Sequence, residues 1–377
     1  MAIPYSAIVC CYETEFGFTL VHGYGRAYSP HEVEEGRTLT EGTEGCWTIR
    51  DSNTVKSFCV VHNGYLPKEE QTVTLTVVNS FGDSLVSQIQ WPKLNAFETK
   101  IVYPSEHFKN LLEFLGGAPG QATFDFSLGC GFTRMLVGNQ NIDSSDLQLT
   151  HSNFDYSRQK TDLTEPGMDG YMVVPVAKNF VRKVIVYPQM TTGSYQAFVN
   201  SEKVQEFESG QTVEIKNVKA NTLTFKRKDG LFPVRLVTAL ELQDRPERVP
   251  GECSLGVITK LQPKKRFWWG VVTPANIAHC YLVVHDLPQV FNGMPKDNMV
   301  TLSLYASKKH QVLERKMTIE DLRQWDDGMS IHQIWPEASV HLDQDYGYYT
   351  LFSEYGGLAV YSLMKNEHGS VCLEHGF

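Results

Sequence analysis

Four histidines are the residues of this chain whose type and spacing best suit chemistry. His62 and His285 each end an apolar, strand-like run, and His151 and His375 each lie further along the same half of the chain. Neutral imidazoles that meet in space can bind a transition metal or act as acid and base. We therefore predict a site in which His62 and His151 share a divalent transition metal. The alternative is that each histidine is a hydrogen-bonded residue at a strand end.

His151 has a further candidate partner close in sequence. The run from Thr150 to Tyr156 contains six hydrogen-bonding side chains in seven residues, among them Asp155. An imidazole beside a carboxylate can perform general acid–base catalysis, so His151 and Asp155 are the candidate catalytic pair. The same composition is typical of a turn, because Ser, Asn and Asp side chains also bond their own backbone.

A compact basic and aromatic cluster spans residues 264–269 and indicates a ligand-binding surface. Its candidate ligand-binding residues are Lys265, Arg266 and Trp268. Cationic and aromatic side chains together can hold anionic groups and stack against rings. Trp269 corresponds to Trp47 in the repeat described below, so we expect Trp269 to be buried and Trp268 to point outward.

Strand-like segments must position these residues, because alternating apolar and polar residues dominate the chain. Examples are 73–78, 183–187, 222–226 and 300–305, which are rich in Val, Thr, Tyr and Phe and are separated by Gly, Asn, Asp and Pro. Their short spacing predicts an all-β, mainly antiparallel fold of tandem β-sandwiches. Only short connecting helices are expected, one after Ser105 and one capped by Thr318 and Asp321.

Several short motifs recur in the same order at nearly the same offset, which indicates an internal duplication. The run Val-Val-His occurs at 60–62 and 283–285, and Val-Thr-Leu occurs at 73–75 and 300–302. We therefore predict a first β-sandwich unit at 1–157 and a second β unit at 158–377. Within the second unit, 158–230 would supply intervening strands and 231–377 would repeat the first unit.

Composition restricts the classes of function. A formal net charge of −9 argues against general nucleic-acid or anionic-membrane binding. The chain has eight cysteines without a Cys-x-x-Cys pair and no segment that reads as a secretory signal, which together indicate a cytoplasmic protein with reduced thiols. Known phosphate-loop, dinucleotide and hydrolase motifs are absent from the sequence.

These patterns favour a binding or assembly protein with a glycan or peptide ligand, or a protein partner. The alternative is an enzyme with a His-centred, metal-assisted site in the first β unit. The oligomeric state and the identity of the ligand stay open at this level.

Overall fold

Antiparallel strands make up most of the molecule. The computed structural model describes residues 8–23, 28–36, 45–131, 134–153, 169–175, 180–188, 191–216, 218, 222–230, 232–233, 235–259, 266–286, 299–323, 328–354 and 357–376. Every strand pairing in this part of the chain is antiparallel, and each helix is four or five residues long. The predicted all-β fold of tandem sandwiches with short connecting helices is confirmed.

The described chain begins with a hairpin that lies outside the three sandwiches. Its strands are β1 (Ile8–Glu13) and β2 (Phe18–Gly23), and a short helix, α1 (Pro30–Glu34), follows it. Ser29 caps α1 through a reciprocal capping box with Glu32, which satisfies two otherwise open backbone donors.

The first sandwich contains eight strands in two four-stranded sheets. Its strands are β3 (Cys46–Ile49), β4 (Val55–His62), β5 (Gln71–Val78), β6 (Ser84–Trp91), β7 (Thr99–Val102), β8 (Gly120–Asp125), β9 (Leu136–Asn141) and β10 (Leu147–His151). The sheets have the orders β3-β8-β5-β6 and β10-β9-β4-β7. The helix predicted after Ser105 is two pieces, α2 (Pro104–His107) and α3 (Leu111–Leu115), because the backbone is extended at Phe108.

The second sandwich begins in the region predicted to supply intervening strands, 158–230, and continues beyond it. Its strands are β11 (Gly170–Val173), β12 (Val181–Val186), β13 (Ser194–Val199), β14 (Glu202–Glu208), β15 (Val213–Lys216), β16 (Thr222–Arg227), β17 (Val237–Gln243) and β18 (Gly251–Gly256). The sheets have the orders β11-β16-β13-β14 and β15-β12-β17-β18. The predicted boundary between 230 and 231 therefore falls inside this unit, between β16 and β17.

The third sandwich completes the series. Its elements are β19 (Phe267–Val272), β20 (His279–Asp286), β21 (Met299–Ala306), β22 (Val312–Thr318), α4 (Ile319–Arg323), β23 (Met329–Ser330), α5 (Ile331–Ile334), α6 (Ala338–Leu342), β24 (Gly347–Ser353), β25 (Leu358–Lys365) and β26 (Val371–His375). The sheets have the orders β19-β24-β21-β22 and β23-β20-β25-β26. Thr318 and Asp321 bond each other's backbone N–H at the start of α4, as predicted.

All three sandwiches have the same connectivity. If the strands of each sandwich are numbered one to eight along the chain, one sheet has the order 1-6-3-4. The other sheet has the order 8-7-2-5. The repeated histidines of the sequence occupy equivalent strands, since His62 and His285 lie on second strands and His151 and His375 end eighth strands. The repeat therefore has three structural copies, of which the middle one lacks both histidines.

Each sandwich encloses an apolar core between its two sheets, and the core of the second sandwich continues into the third through residues such as Val283, Tyr361 and Leu363. The hairpin has no second sheet of its own to pack on, and its Phe18 and Leu20 instead enter the core of the third sandwich. All eight cysteines are free thiols. None of the helices in the described part of the chain is long and apolar enough to cross a membrane.

A buried charge network joins the first sandwich to the second. The Arg50 guanidinium donates to Glu241 Oε1 at 2.9 Å, and the Thr48 hydroxyl donates to Glu252 Oε1 at 2.6 Å. Burial and the neighbouring Glu241 raise the pKa of Glu252 to about 7, against the opposing effects of Thr48 and Arg50. Folding at neutral pH therefore requires Glu252 either to take up a proton or to remain as a poorly solvated anion.

Replacing Glu252 by Gln should stabilise the protein at high pH but not at low pH. A raised carboxyl pKa in the folded state lowers stability as pH increases from the unfolded value of 4.5 to about 7, at about 1.4 kcal/mol per unit. Gln keeps the acceptor for Thr48 and carries no charge. Urea denaturation should show the gain at pH 8 and little difference at pH 5, with the exposed Glu106→Gln as control. An equal effect at both pH values would contradict this assignment.

Candidate functional site

Four strand edges meet at the junction of the hairpin and the three sandwiches. They belong to β2 and to the eighth strand of each sandwich, β10, β18 and β26, and β2 and β18 each contact both β10 and β26. We call this arrangement the four-strand junction. An edge strand presents unpaired backbone donors and acceptors, which are costly to bury without partners.

Side chains of one edge satisfy the backbone of the next. The bonds are Leu149 N to Thr19 Oγ1 at 3.1 Å, Phe18 N to Ser370 Oγ at 3.1 Å, Leu20 N to Cys372 Sγ at 3.2 Å and Ser254 N to Thr150 Oγ1 at 3.1 Å. The Gln148 amide adds bonds to the Phe18 carbonyl and to Ser370 Oγ. The edges are thus covered by hydroxyl, thiol and amide groups rather than by extension of a sheet.

Three histidines converge at one end of the junction. His22 of β2, His151 of β10 and His375 of β26 have ring centroids 4.5–5.7 Å apart, and one nitrogen of each lies within 4.8 Å of the others. The Nε2 atoms of His151 and His375 are 3.4 Å apart. His22 and His151 are only 4% and 2% exposed, whereas His375 is partly exposed.

Glu374 orients the first of these rings. Its Oε2 lies 2.9 Å from His22 Nδ1, and its carboxyl also bonds the His22 backbone. Burial lowers the pKa of His22 to about 2 and raises the pKa of Glu374 well above its usual range. Both shifts have the same cause, because charge is poorly solvated in this site and the charged form of each group is therefore disfavoured.

A backbone carbonyl and a guanidinium surround the second ring. His151 Nδ1 lies 2.8 Å from the carbonyl oxygen of Ser152, while Arg134 Nη2 lies 2.8 Å from Nδ1 and 3.1 Å from Nε2. The two ring nitrogens are bonded to the same carbon, and an atom in the ring plane at these distances from both would clash with that carbon. Arg134 Nη2 therefore lies over the ring face, away from the lone pairs in the ring plane. Burial and then the charge of Arg134 lower the pKa of His151 well below its usual value.

The middle sandwich has glycine where the other two have histidine. Gly256 ends β18, as His151 ends β10 and His375 ends β26. The Arg235 side chain covers this glycine, because a Cβ at Gly256 would lie 2.9 Å from Arg235 Cγ. Arg235 Nη2 donates to Asn153 Oδ1 at 2.7 Å, and Asn153 Nδ2 donates to the Leu255 carbonyl at 2.9 Å.

A cavity of about 260 Å³ opens beside His375 and Arg235, between the second and third sandwiches. Its walls are strands of both units, and its lining includes the aromatic residues Tyr171, Trp268 and Tyr361. The cavity therefore combines one guanidinium, one imidazole and apolar surface, which is a common composition for a site that fixes a small polar group.

The structure does not bring His62 to His151. His62 is exposed, and its Nδ1 lies 2.8 Å from Thr99 Oγ1 on the neighbouring strand. Val60, Leu136 and His151 form a row across three strands, and His62 lies two residues beyond that row. Two strand spacings of about 4.8 Å already separate the two histidines, so they cannot ligate one ion. His285 likewise lies outside the described three-histidine cluster.

The other predicted site residues have mixed positions. Asp155 and Lys265 lie outside the described residues, so their roles stay predictions. Arg266 is exposed, and its carbonyl accepts a hydrogen bond from the backbone N–H of Ser353.

The expected orientation of the tryptophans is wrong, because Trp268 is 3% exposed in the core and Trp269 is half-buried. The alternation of β19 buries positions 268, 270 and 272, with Trp268 opposite the core residue Leu351.

Sequence reasoning missed His22, Arg134 and Glu374. His22 carried a usable signal, since it follows the apolar residues Leu20 and Val21 as His62 follows Val60 and Val61. Glu374 carried a weaker sequence signal, which was its position next to His375. Arg134 had none, because its role depends on the approach of elements far apart in the chain.

Comparisons with known proteins identify no family. No protein-family description matches the chain, and no curated protein matches it. Among solved structures, the FN1–FN3 domains of chicken CNTN1 share 7% sequence identity, with 87% of this chain and 97% of that chain covered and a TM-score of 0.13.

Replacing Asn153 by Ala should destabilise the junction strongly. Asn153 is fully buried and holds the half-buried Arg235 of the second sandwich through its side-chain oxygen, so its loss leaves the guanidinium with one partner fewer and the space around it unfilled. The expected cost is about 1–3 kcal/mol. Chemical denaturation of Asn153→Ala beside the exposed Asn276→Ala measures it. A cost as small as that of the control would show that the Asn153–Arg235 contact does not hold the sandwiches together.

Proposed function

We propose that the protein is a binding or assembly protein whose ligand enters the cavity between the second and third sandwiches. The observation that carries this proposal is the composition of that cavity, with Arg235, His375 and Tyr171 facing one space. The walls come from two units that the junction positions relative to each other, so the site is formed before the ligand arrives. Preformed sites need little ordering on binding, which favours affinity.

The cavity favours an acidic side chain of a peptide as the group that binds. Its volume of about 260 Å³ is slightly below the range typical of drug-sized ligands, so it accommodates a single side chain or sugar ring. A guanidinium is well suited to a carboxylate. Trp268 is buried and offers little ring face for stacking, which favours a peptide over the glycan that sequence analysis also allowed.

The buried histidines support binding rather than catalysis as the function of the chain. Among the described residues, His22 and His151 are 4% and 2% exposed where β2, β10 and β26 meet, and a substrate would have to reach their ring nitrogens to react. General acid–base catalysis needs direct or water-mediated contact with the reacting group. The alternative of a His-centred enzyme therefore has less support than a binding protein.

A cytoplasmic location agrees with the chemistry of the thiols. The eight cysteines include six buried ones, and burial raises the pKa of several of them, such as Cys253 and Cys280. Thiols of this kind are unreactive and suit a reducing compartment.

Tyr171→Ala should weaken binding of acidic peptides by at least about tenfold, as expected for the loss of an aromatic wall of a small pocket. Peptides selected from an array that contains acidic, basic and neutral sequences would be titrated by fluorescence anisotropy. Tyr65→Ala, a partly exposed tyrosine of the first sandwich, is the matched control. Equal affinity of wild type and Tyr171→Ala, or selection of glycans and no peptide, would contradict the proposed ligand.

A further inference from the structure

We infer that His22, His151 and His375 bind one divalent transition-metal ion of the zinc class, which ties the hairpin to the first and third sandwiches. This site adjoins the proposed peptide cavity and shares His375 with it. The three ligands come from three chain segments that share no β-sheet, so an ion held by all three would cross-link parts of the molecule that only side chains otherwise join.

The spacing of the ring nitrogens fits tetrahedral coordination. Zinc–nitrogen bonds of about 2.0–2.1 Å at tetrahedral angles place two ligand atoms about 3.3–3.4 Å apart. The Nε2 atoms of His151 and His375 are 3.4 Å apart, and one nitrogen of each of the three rings lies within 4.8 Å of the others. On binding, the His22 nitrogen approaches the other two to complete a three-nitrogen set, and the fourth position is left for water.

The groups behind two of the rings favour the tautomer that a metal needs. His22 Nδ1 faces the Glu374 carboxyl, and His151 Nδ1 faces the Ser152 carbonyl. When Nδ1–H donates to these oxygens, Nε2 becomes the Lewis base. Carboxylate or carbonyl partners of this kind accompany nearly all metal-binding histidines, because they fix the ring and increase its basicity.

The charges around the cluster also select the ion. Arg134 lies over the face of His151 and opposes a cation, whereas the carboxylate form of Glu374 offsets that charge. A ligand set of three neutral imidazoles suits zinc, copper, nickel and iron, while calcium and magnesium require oxygen ligands. The thiol of Cys372 bonds the backbone of Leu20, so a sulfur ligand is not expected.

The burial of the cluster shields the ion from solvent, and its partly exposed ligand marks a route of entry. His22 and His151 are inside the junction, whereas His375 is partly exposed and lines the cavity between the second and third sandwiches. The ion would enter through that cavity and meet His375 first. His375 is therefore the ligand whose replacement disturbs the packing of the junction least.

Metal titration of the untagged, chelator-treated protein tests the site. Zn²⁺ should bind with a stoichiometry of one by calorimetry and elemental mass spectrometry, and it should raise the melting temperature. The exposed His62→Gln should bind as the wild type does, and His375→Gln should lose the stoichiometric ion. Glu374→Gln should retain the site with about 10–100-fold weaker affinity, because it removes the carboxylate behind His22.

X-ray absorption of the zinc-loaded wild type keeps the test independent of how the variants fold. The spectrum should show three imidazole nitrogens at about 2.0–2.1 Å and no sulfur at about 2.3 Å. A sulfur shell, the lack of a stoichiometric ion in the wild type, or an unchanged stoichiometry in a folded His375→Gln would each overturn the proposal.

Discussion

The need to satisfy the buried backbone of four strand edges is the constraint on which the rest of the structure depends. Each sandwich ends with a strand that has a sheet neighbour on one side only, and β2 of the hairpin likewise has one unpaired edge. Each buried N–H group without a partner would cost about 1–3 kcal/mol. Thr19, Thr150, Ser370 and Cys372 remove that cost, because each presents an acceptor to the backbone of the next edge.

This solution explains the polar side chains along the four-strand junction, which lie beside apolar clusters that also join the units, such as Val21 with Leu149 and Cys46 with Val237. Short hydroxyl and thiol side chains can reach a neighbouring backbone, whereas Val or Leu at the same positions would leave it unsatisfied. The same principle applies at the end of the junction, where Asn153 and Arg235 fill the space above Gly256. The three histidines belong to the four-strand junction, and they lie close together because the strand edges that carry them meet there.

Much of the local structure was predictable, because alternation along a strand reflects burial on one face. The strands around Val73 and Val300 have nearly the predicted bounds, and the cap of Thr318 and Asp321 is as expected. The repeat of His151 and His375 also marks equivalent strands. The orientation of Trp268 was not predictable from the spacing to Trp47, since a shift of one residue reverses the face of a strand.

The tertiary arrangement of the site was beyond sequence reasoning for a physical reason. Alternation shows which face of a strand is buried but not which edge meets which, so His151 was paired with His62 of its own sandwich instead of His22 and His375. The middle sandwich was overlooked because Gly256 replaces the histidine that marked the other two copies. A glycine carries no visible signal of its own, although the structure needs it to admit Arg235.

Native-state hydrogen exchange at the junction tests the central claim most directly. The amides of Leu20, Leu149 and Ser254 donate to side chains of neighbouring edges rather than to a sheet. If those bonds hold the hairpin and the three sandwiches together, these amides should exchange as slowly as Leu75 and Leu302 in the middle of the sandwich sheets. Exchange at the rate of exposed loops, with the sandwich sheets still protected, would show that the units are independent and that the junction does not organise the molecule.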